Sequence, residues 1–139
     1  MPQTAIFLPV LGLIGWTLLV LLLIPYRRFR AAAAGRVSAD DYRYGERESV
    51  PPEIRLANRA FMNLLEMPVL FYALALILYV SGNVDPQAVV LAWVYLGLRI
   101  AHSLIFLTYN HIFHRFLAFA GSNLVVLALW LRTLPLFVS

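Results

Sequence analysis

The sequence predicts an all-α integral membrane protein, a four-transmembrane-helix bundle in a single domain over residues 1–139, and three observations carry that prediction. Hydrophobic side chains make up 62% of the chain and charged ones only 13%, against about 25% charged residues in soluble domains. The apolar residues gather into four blocks, each close to the length of about 20 residues that a helix needs to cross a bilayer. One long charged segment and two short turns separate the blocks.

The first span covers residues 5–24 and contains no charge. Its leading flank, Met1 to Thr4, is uncharged, and Arg27, Arg28 and Arg30 follow it. A cleaved signal peptide carries its charges before the apolar run, so span 1 reads as a retained anchor. Residues 25–54 form the only long polar segment. Its first part, Arg27 to Arg36, can continue the helix for two or three turns because alanine and arginine are good helix formers. Ser38 to Pro52 reads as an irregular loop, closed by Pro51-Pro52, which disfavours helix just before it. At about 30 residues the segment is long enough to cap a site.

Span 2 covers residues 57–80, with Pro68 inside it bending the helix and freeing a backbone carbonyl. Ser81 to Pro86 has the composition of a tight turn. Span 3 covers residues 87–109, a short turn with His111, His114 and Arg115 follows, and span 4 covers residues 116–138 with Arg132 able to snorkel outward. The arginines concentrate in the 25–54 loop and at Arg115, and the 81–86 turn has none. By the positive-inside rule the long loop and the span 3–4 turn face the cytoplasm, and both termini lie outside.

Buried polar groups mark the candidate site. Arg55, Arg59, Asn63 and Glu66 share one face of a helix. Glu66 lies about 15 Å into span 2 at 1.5 Å per residue, where a carboxylate costs about 2.5–3.5 kcal/mol unless paired. Arg99 lies at the same depth in span 3, so a Glu66–Arg99 pair near the midplane is the expected arrangement. His102 and Ser103 sit about a turn from Arg99 toward the cytoplasm. Together these residues outline a polar wedge that opens inward and carries more positive than negative charge. Its guest is expected to be carboxylate-bearing or otherwise anionic, with a second, lipophilic small-molecule substrate against the apolar, lipid-accessible lining. His102 reads as a hydrogen-bond donor between helices or as an acid–base group. His111 and His114 lack a third ligand, so no metal site is expected.

The chain has no cysteine, so any thiol chemistry must come from a substrate. Its net charge of +4 comes entirely from arginine, whose fork binds carboxylates at two points where lysine offers a point charge. Membrane lipids are the expected surroundings, and no nucleic-acid partner is expected.

Pro51-Pro52-Glu53, then Arg59-Ala60, then Asn63-x-x-Glu66 before an apolar run, together with the four-span layout, resembles the MAPEG family, the membrane-associated proteins of eicosanoid and glutathione metabolism. The resemblance implies a homotrimer of four-helix subunits with glutathione bound between neighbours on the cytoplasmic side. It implies that Arg59, Asn63 and Glu66 hold the tripeptide, whose amino group needs an acidic acceptor such as Glu66. Arg99 looks like the arginine that begins the span-3 motif, with His102 one turn on. Arg27 and Arg28 resemble the paired arginines at the end of span 1. Arg115 is the approximate counterpart of the arginine that activates the glutathione thiol. Leu56, His102 and Phe106 depart from the arginine and tyrosines of the eicosanoid-type members, which places the chain closer to a bacterial-type member in an inner membrane. The implied activity is a glutathione-dependent transferase or peroxidase acting on a small lipophilic electrophile. A non-enzymatic binding or permeation module for a small anion, and a structural trimer, are the alternatives.

Overall fold

The computed structural model describes residues 1–138; Ser139, the last residue of the expected domain, lies outside them. Helix α1 runs Phe7–Ala33, α2 Pro52–Leu65, α3 Pro68–Val80, α4 Pro86–Leu107 and α5 Ile112–Thr133, with short 3-10 turns at Gln3–Ile6, Ala39–Tyr42 and Leu134–Leu136. Among the described residues four stretches are long and apolar enough to cross a membrane: Gln3–Ala33, Pro52–Val80, Pro86–Leu107 and Ile112–Leu136.

The arginines after span 1 continue α1 through Pro25 to Ala33. The helix stops at Gly35, whose φ of 74° lies in the left-handed region that favours glycine. There the Arg36 N–H donates back to the Ala31 carbonyl at 2.9 Å, the long bond of a Schellman end. The following loop is a folded piece rather than a slack one. Ser38 and Asp41 form a capping box around Ala39–Tyr42. Val50 and Ile54 pack with Ala31, Val37 and Tyr42 into a small apolar cluster apart from the main core.

Span 2 departs from the single bent helix expected over 57–80. It begins earlier, at Pro52 in the favoured first-turn position, and it is broken in two. Glu66 leaves the helical region, with φ −85° and ψ −94°, and α3 restarts at Pro68. Proline has no N–H for the Leu64 carbonyl and clashes with the preceding turn, so a continuous helix cannot pass through it unstrained.

The break redirects the span. α2 packs on α1 and α4, whereas α3 packs on α5 and only lightly on α1. Among the described residues no close packing joins α2 to α5, so the two diverge at the end of the bundle that carries the α1–α2 loop. α4 stands behind the gap and is the most buried helix face, with Ala88, Ala92, Tyr95, Leu96, Arg99, His102, Ser103 and Phe106 turned inward. The opposite end is tied shut. The Gln3 side chain donates to the Val84 carbonyl at 3.0 Å and accepts from its N–H at 2.8 Å. Asp85 caps α4 by accepting from the Ala88 N–H at 2.8 Å, and Arg132 pairs with Asp85 and Gln87.

Candidate functional site

The gap between α2 and α5 is a cavity of about 990 Å³. α2 gives it a polar wall of Arg55, Arg59, Asn63 and Glu66, and α5 an aromatic wall of Phe116 and Phe119. His102 and Phe106 of α4 lie between the walls, Arg115 and Asn110 stand at the mouth, and Glu46 reaches in from the loop. The sequence-predicted residues Arg59, Asn63, Glu66, His102 and Arg115 therefore converge here.

Arg99 does not line the cavity and does not pair with Glu66. Its side chain is fully buried, and one guanidinium nitrogen donates to the backbone carbonyl of Asn63 at 2.8 Å while the other reaches Ser122 Oγ at 3.5 Å. Among the described residues no ion pair joins it to a carboxylate. The reason is the break. In an unbroken helix the Asn63 carbonyl would accept from the Met67 N–H; with the chain turned out at Glu66, that carbonyl is free in the apolar interior, and Arg99 supplies its donor. Glu66 itself is exposed along the lateral opening between α2 and α5.

His102 is 3% exposed and packs between the tilted rings of Phe106 and Phe119, with ring centroids 5.9 and 5.8 Å away. Its Nδ1 is buried at the cavity wall without a hydrogen-bond partner among the described residues. Arg115 is held from two sides. It donates to Asn110 Oδ1 at 2.8 Å, and its guanidinium carbon lies 4.7 Å over the Phe106 ring, a cation–π contact. Asn110 reaches that position because it takes φ 46°, a left-handed conformation that asparagine tolerates.

Arg27 and Arg28 also stand outside the cavity lining. Arg27 donates to the Glu53 carbonyl in the first turn of α2. Arg28 lies 4.4 Å over the Tyr42 ring and 3.9 Å from Glu46, so it meets the cavity through that glutamate. Burial raises the Tyr42 hydroxyl pKa above its ordinary value, more than the neighbouring Arg28 lowers it. The His111 and His114 rings lie tilted against each other with centroids 4.2 Å apart in the exposed turn, and Tyr109 Oη lies 3.1 Å from His114 Nδ1. Sequence reasoning missed Phe116 and Phe119 on α5, and it also missed the pair Asn110 and Glu46. Neither lies on a periodic face, and only the length of the loop pointed toward a cap.

The arrangement can hold an anionic or zwitterionic guest against α2 and an apolar one against α5. Compared with models of known families, residues 6–135 match that of the MAPEG family. No curated protein and no solved structure matches the chain.

Proposed function

We propose that this chain, which belongs to the MAPEG family and is a multi-pass integral membrane protein, is a glutathione-dependent enzyme acting on a small lipophilic electrophile as a transferase or peroxidase. The observation that carries this reading is the two-sided cavity. Arg55, Arg59 and Arg115 outnumber Glu46 and Glu66 along its polar side, a balance suited to a tripeptide with two carboxylates and one ammonium. The unpartnered His102 Nδ1 and Arg55 Nε are polar atoms that such a guest would satisfy, so the residues fit glutathione.

In this reading Arg55, Arg59 and Asn63 bind the peptide. Arg27 and Arg28 act from the rim, one on the start of α2 and one on Glu46, and Arg99 acts by holding the Asn63 carbonyl. Bound glutathione supplies the thiol. Arg115, fixed by Asn110 and Phe106, places a cation where it favours the thiolate, the form that attacks at neutral pH. Phe106, Phe116 and Phe119 exclude water and seat the lipophilic partner. A homotrimer accounts for the lateral opening, because a carboxylate such as Glu66 facing hydrocarbon costs about 2.5–3.5 kcal/mol and a neighbouring copy would cover it.

Glutathione is expected to raise the melting temperature of the detergent-solubilised protein by mass action. Arg59→Ala should weaken binding by about 1.5–3 kcal/mol, or about tenfold or more, and His111→Ala in the exposed turn should leave it unchanged. No shift with millimolar glutathione in well-folded protein would end the enzyme reading. A shift without turnover of a generic aryl halide or hydroperoxide would leave a binding protein in its place.

The proposed orientation puts the cavity mouth in the cytoplasm, in keeping with the arginine-rich α1–α2 loop, in a bacterial inner membrane. Reporter fusions at Asn83 and at the C-terminus are expected to report the outer face, and a fusion at Ser38 the cytoplasm. A cytoplasmic Asn83 would reverse the topology.

A further inference from the structure

We propose that the clasped end of the bundle, opposite the α2–α5 gap, carries a lipid-headgroup site. There Arg132 takes the phosphate, and Asp85 and Asn83 take the primary ammonium, of a phosphoethanolamine-bearing membrane lipid. The proposal stands on the membrane-spanning fold and is independent of the glutathione reading.

This end has a cavity of its own, about 450 Å³ in volume, within the range of about 300–1,000 Å³ usual for small-molecule sites. Its apolar lining comes from the buried Leu78, Val84 and Ala88 and the exposed Leu136, and its polar lining from Asn83, Asp85 and Arg132. The polar groups are held in place by the frame around them. Gly82 takes φ 71°, and the Gly82 and Asn83 N–H groups donate to the Tyr79 and Leu78 carbonyls at 3.1 and 2.9 Å, the paired bonds of a Schellman end. Gln3 grips Val84 through both of its backbone groups. Arg132 donates to Asp85 and to Gln87, which joins the last turn of α5 to the start of α4.

The clasp does not exhaust these groups. A guanidinium has more N–H donors than the two that Arg132 spends on it, and the Arg132 and Asp85 side chains remain 35% and 47% exposed. Asp85 receives the Ala88 N–H on Oδ1 and Arg132 on Oδ2, and each carboxylate oxygen can accept a further bond. Asn83 donates from Nδ2 to the Ser81 carbonyl at 3.0 Å and keeps Oδ1 as an acceptor. A cation and two acceptors thus share one cavity with no net charge, which complements a zwitterion. The setting selects a lipid. Arg132 lies in the last turn of α5 and Asp85 caps the first turn of α4, at the ends of two spans, where headgroups lie. The partly exposed Tyr79 and Trp130 at the same end are of the types enriched at that boundary. A glycerol headgroup would set its phosphate beside the Asp85 carboxylate with no cation of its own to offset the charge. A choline headgroup has no N–H for Asp85 or Asn83. A primary ammonium answers both.

The test uses the full chain in detergent, with thermal melts recorded as dioleoyl phosphatidylethanolamine, its choline equivalent or its glycerol equivalent is added in mixed micelles. Soluble glycerophosphoethanolamine is the fourth probe. In the wild-type protein the ethanolamine lipid is expected to stabilise at about tenfold lower concentration than the other two lipids, and the soluble probe to shift the melt little at that concentration. Arg132→Gln removes the partner of the phosphate and should weaken the ethanolamine lipid about tenfold. Asn83→Ala leaves the Arg132–Asp85 clasp in place and should reduce the preference at least about threefold. Gln87→Ala loosens the clasp without touching the cavity lining and should keep the preference. The ligand-free melting temperature of each variant reports whether this end is intact, and Asn83→Ala decides where Arg132→Gln is not. An equal response to the three lipids, a preference that Asn83→Ala does not reduce, or its loss in Gln87→Ala overturns the site. A full response to glycerophosphoethanolamine alone overturns a lipid as its occupant.

Discussion

Arg99→Leu is expected to lower glutathione affinity by about a hundredfold or more while moving the ligand-free melting temperature little. Two terms oppose each other in the ligand-free protein. The substitution removes a fully buried cation that costs about 2.5–3.5 kcal/mol in a membrane interior. It also strips the Asn63 carbonyl of its donor, at about 1–3 kcal/mol for an unsatisfied buried group. These nearly cancel, so the net change in stability should stay within about 1 kcal/mol. Binding has no such compensation. Without Arg99 the Asn63 carbonyl is best satisfied by re-forming the helical bond to the Met67 N–H, which turns Asn63 and Glu66 away from their present bearing on the cavity. Removing two polar interactions with the ligand, at about 1.5 kcal/mol each, corresponds to about a hundredfold in affinity. Arg99→Lys keeps the charge but not the fork that spans Asn63 and Ser122, and should fall between. Calorimetric titration and thermal melts of the three proteins check this; wild-type affinity in Arg99→Leu would mean that the break holds itself open.

Arg99 also shows where sequence reading stops. The depth of a charge in a span follows from counting residues, so the levels of Glu66 and Arg99 were both legible. Their partners were not. Partner choice depends on how each helix is rotated, and the group that meets Arg99 is a backbone carbonyl, which every residue possesses and no motif announces. The four spans, the continuation of α1 past its arginines and the polar stripe of α2 were readable because each rests on periodicity or on length. Pro68 announced a bend; that the bend would become a full break, sending α2 and α3 to different neighbours, depended on what packs on each half. Glu46 is the hardest case. Its place over the cavity comes from a capping box, a cation stacked on Tyr42 and a small apolar cluster, none of which repeats along the chain.

Removing the break at its source gives the second large effect. Pro68→Ala is expected to reduce the glutathione-induced stabilisation by at least about tenfold in apparent affinity while leaving the ligand-free protein as stable as before or more so. Alanine restores an N–H for the Leu64 carbonyl and removes the ring that forbids a continuous helix through this position. The Met67 N–H then competes with Arg99 for the Asn63 carbonyl. Against this gain stands an Arg99 left with only Ser122, at a cost no larger than the about 2.5–3.5 kcal/mol of a membrane-buried cation. The geometric consequence is larger than the energetic one. α2 now lies on α1 and α4 while α3 lies on α5, and a straight helix cannot keep both sets of neighbours. Either α2 swings toward α5 and fills the cavity, or α3 leaves α5 and the aromatic wall loses its support. Both outcomes separate Arg59 and Asn63 from Arg115. Hydrogen exchange at the Met67 amide gives a readout independent of ligand: it should be open in the wild-type protein and protected in Pro68→Ala. An unprotected Met67 together with an undiminished glutathione response would show that Arg99 and the packing of α4, rather than the proline, keep the helix divided.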